Sequence, residues 1–367
     1  MRPLTYAGAG VDYEALDAFK RACQEAARST VGALAGRDVR EPPGVRGESA
    51  YLLETGDGYL AHVEEGLGTK NLIADAMFDA TGESFYRHVG IDTVATIVND
   101  LVTCGADPTI VAMHAAVGDV AWFARGTCAA DLAQGFAEAC LDAGAVWGGG
   151  ETPALRDMVA ANTIVLAGSA VGRVRPKAAR ITGDVVDGDA IVTLASAGVH
   201  TNGLTLCRAL AQRLPDGYLT RLPDGRRYGE ALLDPSVIYA RFVRACREAA
   251  VPLHYAVHLT GHGWRKLMRL DEPLVYRVVT LPAPPPIFPF LQAAASLDDR
   301  EAYGTFNMGA GFAVYVPAQD AERCVNVATE AGYQAAVAGS VRREGGRKAV
   351  ELEPLGLCFE ADSLQVR

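Results

Sequence analysis

Apolar residues recur every three or four positions through "DYEALDAFKRACQEAARS" (residues 12–29). Leu16, Phe19, Cys23 and Ala26 fall along one side, so the spacing predicts a helix with Asp12 as its cap. "EPPGVRGES" interrupts the pattern as a loop. "AYLLET", "GYLAHVE" and the segment around "TIVAMHAAV" read as strands. "IDTVATIVNDLVTCG" reads as a helix stopped at Gly105 with Pro108 beyond it, and "CAADLAQGFAEACLDAG" as one closed by Gly144. "NTIVLAGSAVGRV" is a strand that ends a first αβ unit near residue 172.

The second half repeats the alternation. "DVVDGDAIVTLAS" is a polar turn followed by a buried strand, and "GLTLCRALAQRL" is a helix. "DPSVIYARFVRACREAA" reads as a helix with Asp234 as cap and Pro235 at its first position. "LHYAVHLT" and "LVYRVVTL" are strands, and "PAPPPIFPF" is a proline-rich connection rather than regular helix. "GFAVYVP", "AQDAERCVNVATEAG" and "QAAVAGSVRR" give strand, helix, strand. Strands alternating with helices in two halves predict an α/β (α+β) protein of two domains.

Composition narrows the function. The chain has 367 residues, half of them hydrophobic and 21% charged, enough to bury large cores. A net charge of −10 argues against nucleic acid as a partner, because phosphate backbones select basic surfaces. A phosphate ligand would then be met locally, by a cation, a few basic groups or helix N-termini. No apolar stretch is long enough to span a bilayer, and the start lacks a signal-peptide pattern, so a cytoplasmic protein is expected. The 8 cysteines include no C-x-x-C pair and read as reduced, mostly buried thiols.

Five polar clusters stand out against the apolar pattern. In "HVEEGLGTKNL" (62–72), Glu64 and Glu65 precede Gly66, Gly68, Thr69 and Lys70. Glycines let backbone N–H groups approach a ligand, lysine neutralises phosphate, and carboxylates repel phosphate unless a divalent cation lies between. The stretch is either a metal–nucleotide loop or a charged hairpin turn. In "GIDTVATIVND", Asp92 and Asn99 lie two helical turns apart on one face, with Asp100 about 100° round. Asp92 is a possible helix cap, whereas a carboxylate at Asp100 in an apolar helix needs a partner or a metal. "WGGGETP" (147–153) sets three glycines before Glu151 and Thr152, as a tight turn or a ligand site. "SAGVHTNGLTL" places His200, Thr201 and Asn202 before a helix starting near Gly203. In "HYAVHLTGHGW", His254 and His258 would sit about 13 Å apart along a strand, too far to share a zinc ion. His258 at the strand end suits substrate contact or proton transfer.

Together these segments resemble the aminoimidazole ribonucleotide synthetase (phosphoribosylformylglycinamidine cyclo-ligase) family over roughly residues 6 to 343. "YAGAGVD", "EEGLGTK", "GIDTVATIVNDLVTCGADP", "GGET", "HTNG", "HLTGHG" and "TFNMGAG" occur in the family's order. The resemblance implies an ATP-dependent ring closure in purine synthesis, through phosphorylation of an amide oxygen. It implies a homodimer whose N-terminal mixed sheets close a barrel, with residues 1–172 for ATP binding and dimerisation, 173–345 as a C-terminal α/β domain and 346–367 as an extension. Mg2+ would be held by Glu65, Asp92, Asp100 and Glu151. Gly66, Gly68, Thr69, Lys70, Asp92, Asn99, Gly149, Gly150 and Thr152 would bind nucleotide. Thr201, Asn202, Gly203, Thr260, Gly261 and Asn307 would bind substrate. Lys70, His200 and His258 would be catalytic.

Departures from the family pattern lie in the ligand motifs. Glu65 replaces an aspartate, which moves the carboxylate by about 1.5 Å. His262 replaces the middle glycine of "HLTGGG", and Gly304 an arginine. The family's glycine-rich segment before the first strand is absent, and "PALRDM" follows "GGET". A relative using ATP on another amide or phosphorylatable substrate, or a non-catalytic nucleotide-binding homologue, is the alternative. The hydrogenase-maturation type is disfavoured because the chain ends "SLQVR" without a terminal cysteine. The selenophosphate-synthetase type is disfavoured because its reactive residue lies in the absent glycine-rich segment.

Overall fold

The computed structural model describes residues 13–364. The "YAGAGVD" motif and the Asp12 cap lie outside them. Two mixed sheets organise the chain. The first contains β1 (Tyr51–Glu54), β2 (Tyr59–Gly66), β3 (Asp107–Val117), β4 (Val146–Glu151) and β5 (Ile164–Val174), in the order β1-β2-β5-β3-β4. Only β3 and β4 pair in parallel. Helices α2 (Lys70–Thr81), α3 (Tyr86–Val102) and α4 (Cys128–Ala143) belong to this half. β2 alternates buried and open positions, as a strand packed on one face must. α3 is buried on nearly all sides. It can lie against α4 because Gly135 has no side chain: a Cβ there would come within 1.9 Å of the Arg87 carbonyl oxygen.

The second sheet takes β6 (Ala190–Ala195), β7 (Tyr255–His258), β8 (Val275–Val278), β9 (Ala310–Val316), β10 (Ala335–Arg342), β11 (Ala349–Leu352) and β12 (Leu357–Glu360). Its order is β12-β11-β8-β10-β6-β9-β7. β11 runs parallel to β8 and β12 turns back on β11, so residues 349–360 widen this sheet. Around it lie α5 (Leu204–Ala211), α6 (Tyr228–Leu232), α7 (Ala240–Glu248), α8 (Ile287–Ala295), α9 (Asp299–Thr305) and α10 (Ala321–Glu330).

Several local expectations give way. The helix expected from Asp234 begins only at Ala240; residues 234–239 are non-helical, because α3 side chains bind their backbone groups. Asp92 does not cap a helix, since α3 starts six residues earlier at Tyr86. "WGGGE" is the edge strand β4 rather than a turn. α8 includes part of the proline-rich connection: Pro289 lies in its first turn, where the missing N–H has no intrahelical partner to lose. The N-terminal helix forms as α1 (Tyr13–Arg28), but Phe19, Cys23 and Ala26 on its expected inner side are exposed. The eight cysteines are free thiols, six of them buried. Among the described residues no helix is long and apolar enough to cross a membrane.

Candidate functional site

The GLGT turn leaves β2 and enters α2, so Lys70 starts a helix. Its side chain points inward and is fully buried. Nζ lies 2.6 Å from Asp92 Oδ2 and donates to the Asp234 carbonyl at 2.7 Å. The other Asp92 oxygen accepts from Ser236 N at 2.8 Å and Ser236 Oγ at 2.5 Å. Burial raises the Asp92 carboxyl above its usual value, against the Lys70 charge and the Ser236 hydrogen bonds. One turn short of the helix end, Asn99 donates to the Val237 carbonyl at 2.8 Å and accepts from Tyr239 N at 2.9 Å. Asp92 and Asn99 therefore share a face, as their spacing predicts, and that face clamps residues 236–239. Lys70 is not free for phosphate, Asp92 for a metal or Asn99 for nucleotide.

A different group does assemble between the sheets. Alternation along β2 turns Glu65 toward the helices, in one row with Gly168 and Met113, and turns Glu64 to the open face. Asp100 comes from the last turn of α3 and His258 from the end of β7, and Asp100 Oδ1 lies 2.7 Å from His258 Nδ1. Lys266, on the turn Gly263–Met268, donates to the His258 carbonyl at 3.3 Å and to Thr260 Oγ1.

The charges of this group act on one another. Burial, then the Asp100 charge, pushes the Glu65 carboxyl up to about 7, against the Lys266 ammonium. Burial lowers Lys266 to about 8, against Asp100 and Glu65. Burial acts to raise Asp100, but the His258 hydrogen bond and the Lys266 charge outweigh it and hold the carboxyl below its usual range. Burial keeps His258 below the ordinary imidazole value in spite of Asp100. The neutral ring then donates Nδ1–H to the carboxylate and keeps Nε2 as an acceptor, the form of a general base.

The HTNG segment joins this group from the second half. Thr201 Oγ1 is 3.1 Å from Thr96 Oγ1 on α3, and Asn202 stands half-exposed beside it. Gly203 takes a left-handed backbone (φ 75°) just before α5, where a Cβ would strike the Phe306 ring. Gly66 is exposed, and Thr69 and Gly261 are half-buried. His200 is buried, its Nε2 accepts from Ala197 N at 3.2 Å and Val237 N at 3.5 Å, and burial holds the ring well below its ordinary value. Nε2 thus braces backbone, while Nδ1 is buried without a hydrogen-bond partner among the described residues. Asn307 is likewise spent: it accepts from Ser196 Oγ and Gly309 N and donates to the Gly198 carbonyl.

Gly149, Gly150, Glu151 and Thr152 are exposed at the far edge of the first sheet. Glu151 pairs with His114, His114 with Ala167 and Ala167 with Gly66, so Glu151 is about 14 Å from β2 and on the face opposite Glu65. The four carboxylates expected to share a metal are not brought together. Among the described residues no cluster of three or more His, Cys, Asp or Glu is placed to hold one. Of the four, Glu65 is the one whose carboxyl is raised by the Asp100 charge, after burial.

Sequence reasoning missed Lys266, which follows "HLTGHGW" in an apolar turn with no recognisable spacing. It also missed Arg265. A Cβ at Gly304 would stand 3.6 Å from the Phe359 ring and 3.7 Å from the Arg265 guanidinium, which donates to the Gly304 carbonyl at 2.6 Å and the Ser363 carbonyl at 3.0 Å. His262 has φ 70°, the left-handed conformation that accounts for glycine in the family motif.

Known proteins share this arrangement of segments. Residues 47–174 match the model of the AIR synthase related protein N-terminal domain and residues 186–351 that of the C-terminal domain. The phosphoribosylformylglycinamidine cyclo-ligase of Methanocaldococcus jannaschii is 35% identical over 295 residues, 80% of this chain and 81% of that protein. The protein of the same name from Parasynechococcus marenigrum is 33% identical over 349 residues, 92% of this chain and 96% of its own length. The structure of hydrogenase maturation protein HypE in complex with ATP superposes with a TM-score of 0.60 at 19% identity, covering 83% of this chain and 85% of that one, which shows a shared fold. With both domain models matched in order, the chain belongs to the AIR synthase related protein family.

Proposed function

We propose that the protein is an ATP-dependent cyclo-ligase that closes the imidazole ring of aminoimidazole ribonucleotide from formylglycinamidine ribonucleotide. The observation that carries this reading is the Asp100–His258 pair, whose carboxylate charge reaches Glu65, in a chain whose curated relatives bear the cyclo-ligase name. An amide oxygen is a poor leaving group until phosphorylated. The γ-phosphoryl group of ATP passes to the formamide oxygen and ADP is released. The amidine nitrogen then attacks the same carbon, the C–O bond breaks, inorganic phosphate departs with the oxygen, and the nitrogen loses a proton. His258, oriented by Asp100, is assigned that proton. The fold contributes mainly position, since phosphoryl transfer asks for placement and charge neutralisation, and an intramolecular closure gains several kcal/mol from a held geometry.

Phosphates are assigned to the backbone N–H groups of Gly68 and Thr69 and the first turn of α2, without Lys70. Mg2+ is assigned to the nucleotide as it arrives, with Glu65 and Asp100 as the carboxylates available to it. Thr201, Asn202, Thr260 and Gly261 are assigned to substrate. Residues up to 172 serve ATP binding and dimerisation, and residues from 173 form the second domain. The homodimer is inferred from the uncovered side of the first sheet, where Leu60, Ile110, Val146 and Val165 are exposed. Phosphate release that requires formylglycinamidine ribonucleotide, ATP and Mg2+ together tests the reading. Release with ATP but indifferent to this ribonucleotide would favour a different substrate.

A further inference from the structure

Residues 357–364 lie beyond the matched domain models, the second of which ends at residue 351. They form β12 and the turn Ala361–Ser363, and they are packed against the second domain. Phe359 is buried, with the Arg300 guanidinium 5.3 Å from its ring centroid, and Arg300 also donates to the Cys358 carbonyl at 3.0 Å. Arg265 joins this segment to the loop that follows His258. Its Nε donates to the His262 carbonyl at 3.2 Å, one terminal nitrogen to the Gly304 carbonyl at 2.6 Å and the other to the Ser363 carbonyl at 3.0 Å. One planar fork thus ties three segments together: its own loop, the last turn of α9 and the turn after β12. The loop needs such a tie, because His262 at φ 70° holds a backbone conformation that a residue other than glycine keeps only where its surroundings impose it. On either side of Arg265, Trp264 Nε1 donates to the Asn307 carbonyl at 2.9 Å and Lys266 to the His258 carbonyl at 3.3 Å. We propose that Arg265 is a positioning residue, through which the C-terminal segment holds the loop 259–265, and with it Thr260 and Gly261, in the geometry that receives the amide substrate.

The part played by Thr260 and Gly261 rests on the function proposed above, so the experiment has one arm that needs no substrate. Hydrogen exchange read by mass spectrometry follows the Leu259, Gly263 and Arg265 amides, which donate to the Gly311, Thr260 and His262 carbonyls. Two variants cut the tie from its two sides. Arg265→Met keeps an unbranched stem without the guanidinium, and a chain stopped after Glu360 lacks the Ser363 carbonyl. Each is expected to speed exchange in this loop about tenfold, the effect of losing one hydrogen bond to a charged group, with β6 and α3 unchanged. The combined variant is expected to exchange no faster than Arg265→Met alone, because both changes cut the same tie. In the kinetic arm, KM for formylglycinamidine ribonucleotide is expected to rise about tenfold while KM for ATP, assigned to the other domain, stays within about twofold. A general loss of structure would move both KM values and the urea midpoint together. Loop exchange as slow as wild type in Arg265→Met overturns the proposal. So does additive speeding in the combined variant, or an equal rise in both KM values. A wild-type chain that does not turn over formylglycinamidine ribonucleotide refutes the substrate reading and leaves the exchange arm to decide the positioning role. If the stopped chain does not fold, Arg265→Met decides alone.

Discussion

His258 Nδ1 lies 2.7 Å from Asp100 Oδ1, a hydrogen bond that joins the last turn of a first-domain helix to the end of a second-domain strand. The carboxylate accepts, so the imidazole keeps one tautomer and offers Nε2 to a reacting group. Asp100→Asn replaces an acceptor by an amide that can face the ring with its donor. The expected outcome is a fall in kcat of about 10²-fold or more, the range for a misdirected general base, together with weaker binding of Mg-ATP. Steady-state kinetics beside ATP titration checks this. A kcat within twofold of wild type would make Asp100 structural.

Lys70 gives a sharper contrast. As the buried partner of Asp92 it is a stability residue, so Lys70→Met is expected to destabilise the fold by about 3–5 kcal/mol. The double variant Lys70→Met/Asp92→Asn should recover more than half of that loss, because no unpaired charge remains. Urea unfolding of the three proteins measures it. A Lys70→Met chain as stable as wild type but unable to bind ATP would return the lysine to the phosphates.

Glu64 and Glu65 were expected in a loop or a hairpin turn; both lie in β2, where neighbours must face opposite ways. The shared face of Asp92 and Asn99, seven residues apart, was legible in their spacing. The groups that this face binds were not. They are backbone groups of residues 236–239, some 140 positions along the chain, and by taking Ser236 N, Tyr239 N and the Val237 carbonyl they also cancel the helix that "DPSVIYARF" predicts. Local pattern carries no record of a bond made across two domains. Lys266 was invisible for a similar reason: it gains its meaning from Asp100 and Glu65, on two other elements. His262 shows the reverse, a backbone demand written in the family's glycine and met here by a residue tolerated in the left-handed region.

Glu65 makes stability depend on pH. Its carboxyl is raised from 4.5 to about 7, so between those values the folded chain holds a proton that the unfolded chain has released. Stability therefore falls as pH rises through that window. The loss attributable to Glu65 is on the order of 1–3 kcal/mol, and Glu65→Gln should remove it while Glu64→Gln, on the open face, should not. Urea unfolding at pH 5 and pH 7.5 gives the comparison. Equal losses in wild type and Glu65→Gln would contradict the burial of this carboxylate.

The first sheet leaves one side uncovered and an exposed strand, β4, at its edge. A homodimer is expected in sedimentation at micromolar concentration. A stable monomer under those conditions would remove the barrel from the account.

The measurement closest to the central claim follows one oxygen atom. Formylglycinamidine ribonucleotide carrying ¹⁸O in its formyl group is turned over with ATP and Mg2+, and the inorganic phosphate is analysed by mass. If the amide oxygen is phosphorylated before the ring closes, each phosphate carries one ¹⁸O and the imidazole product appears in equal amount. Product formed with the label in water, or phosphate released unlabelled, would contradict it.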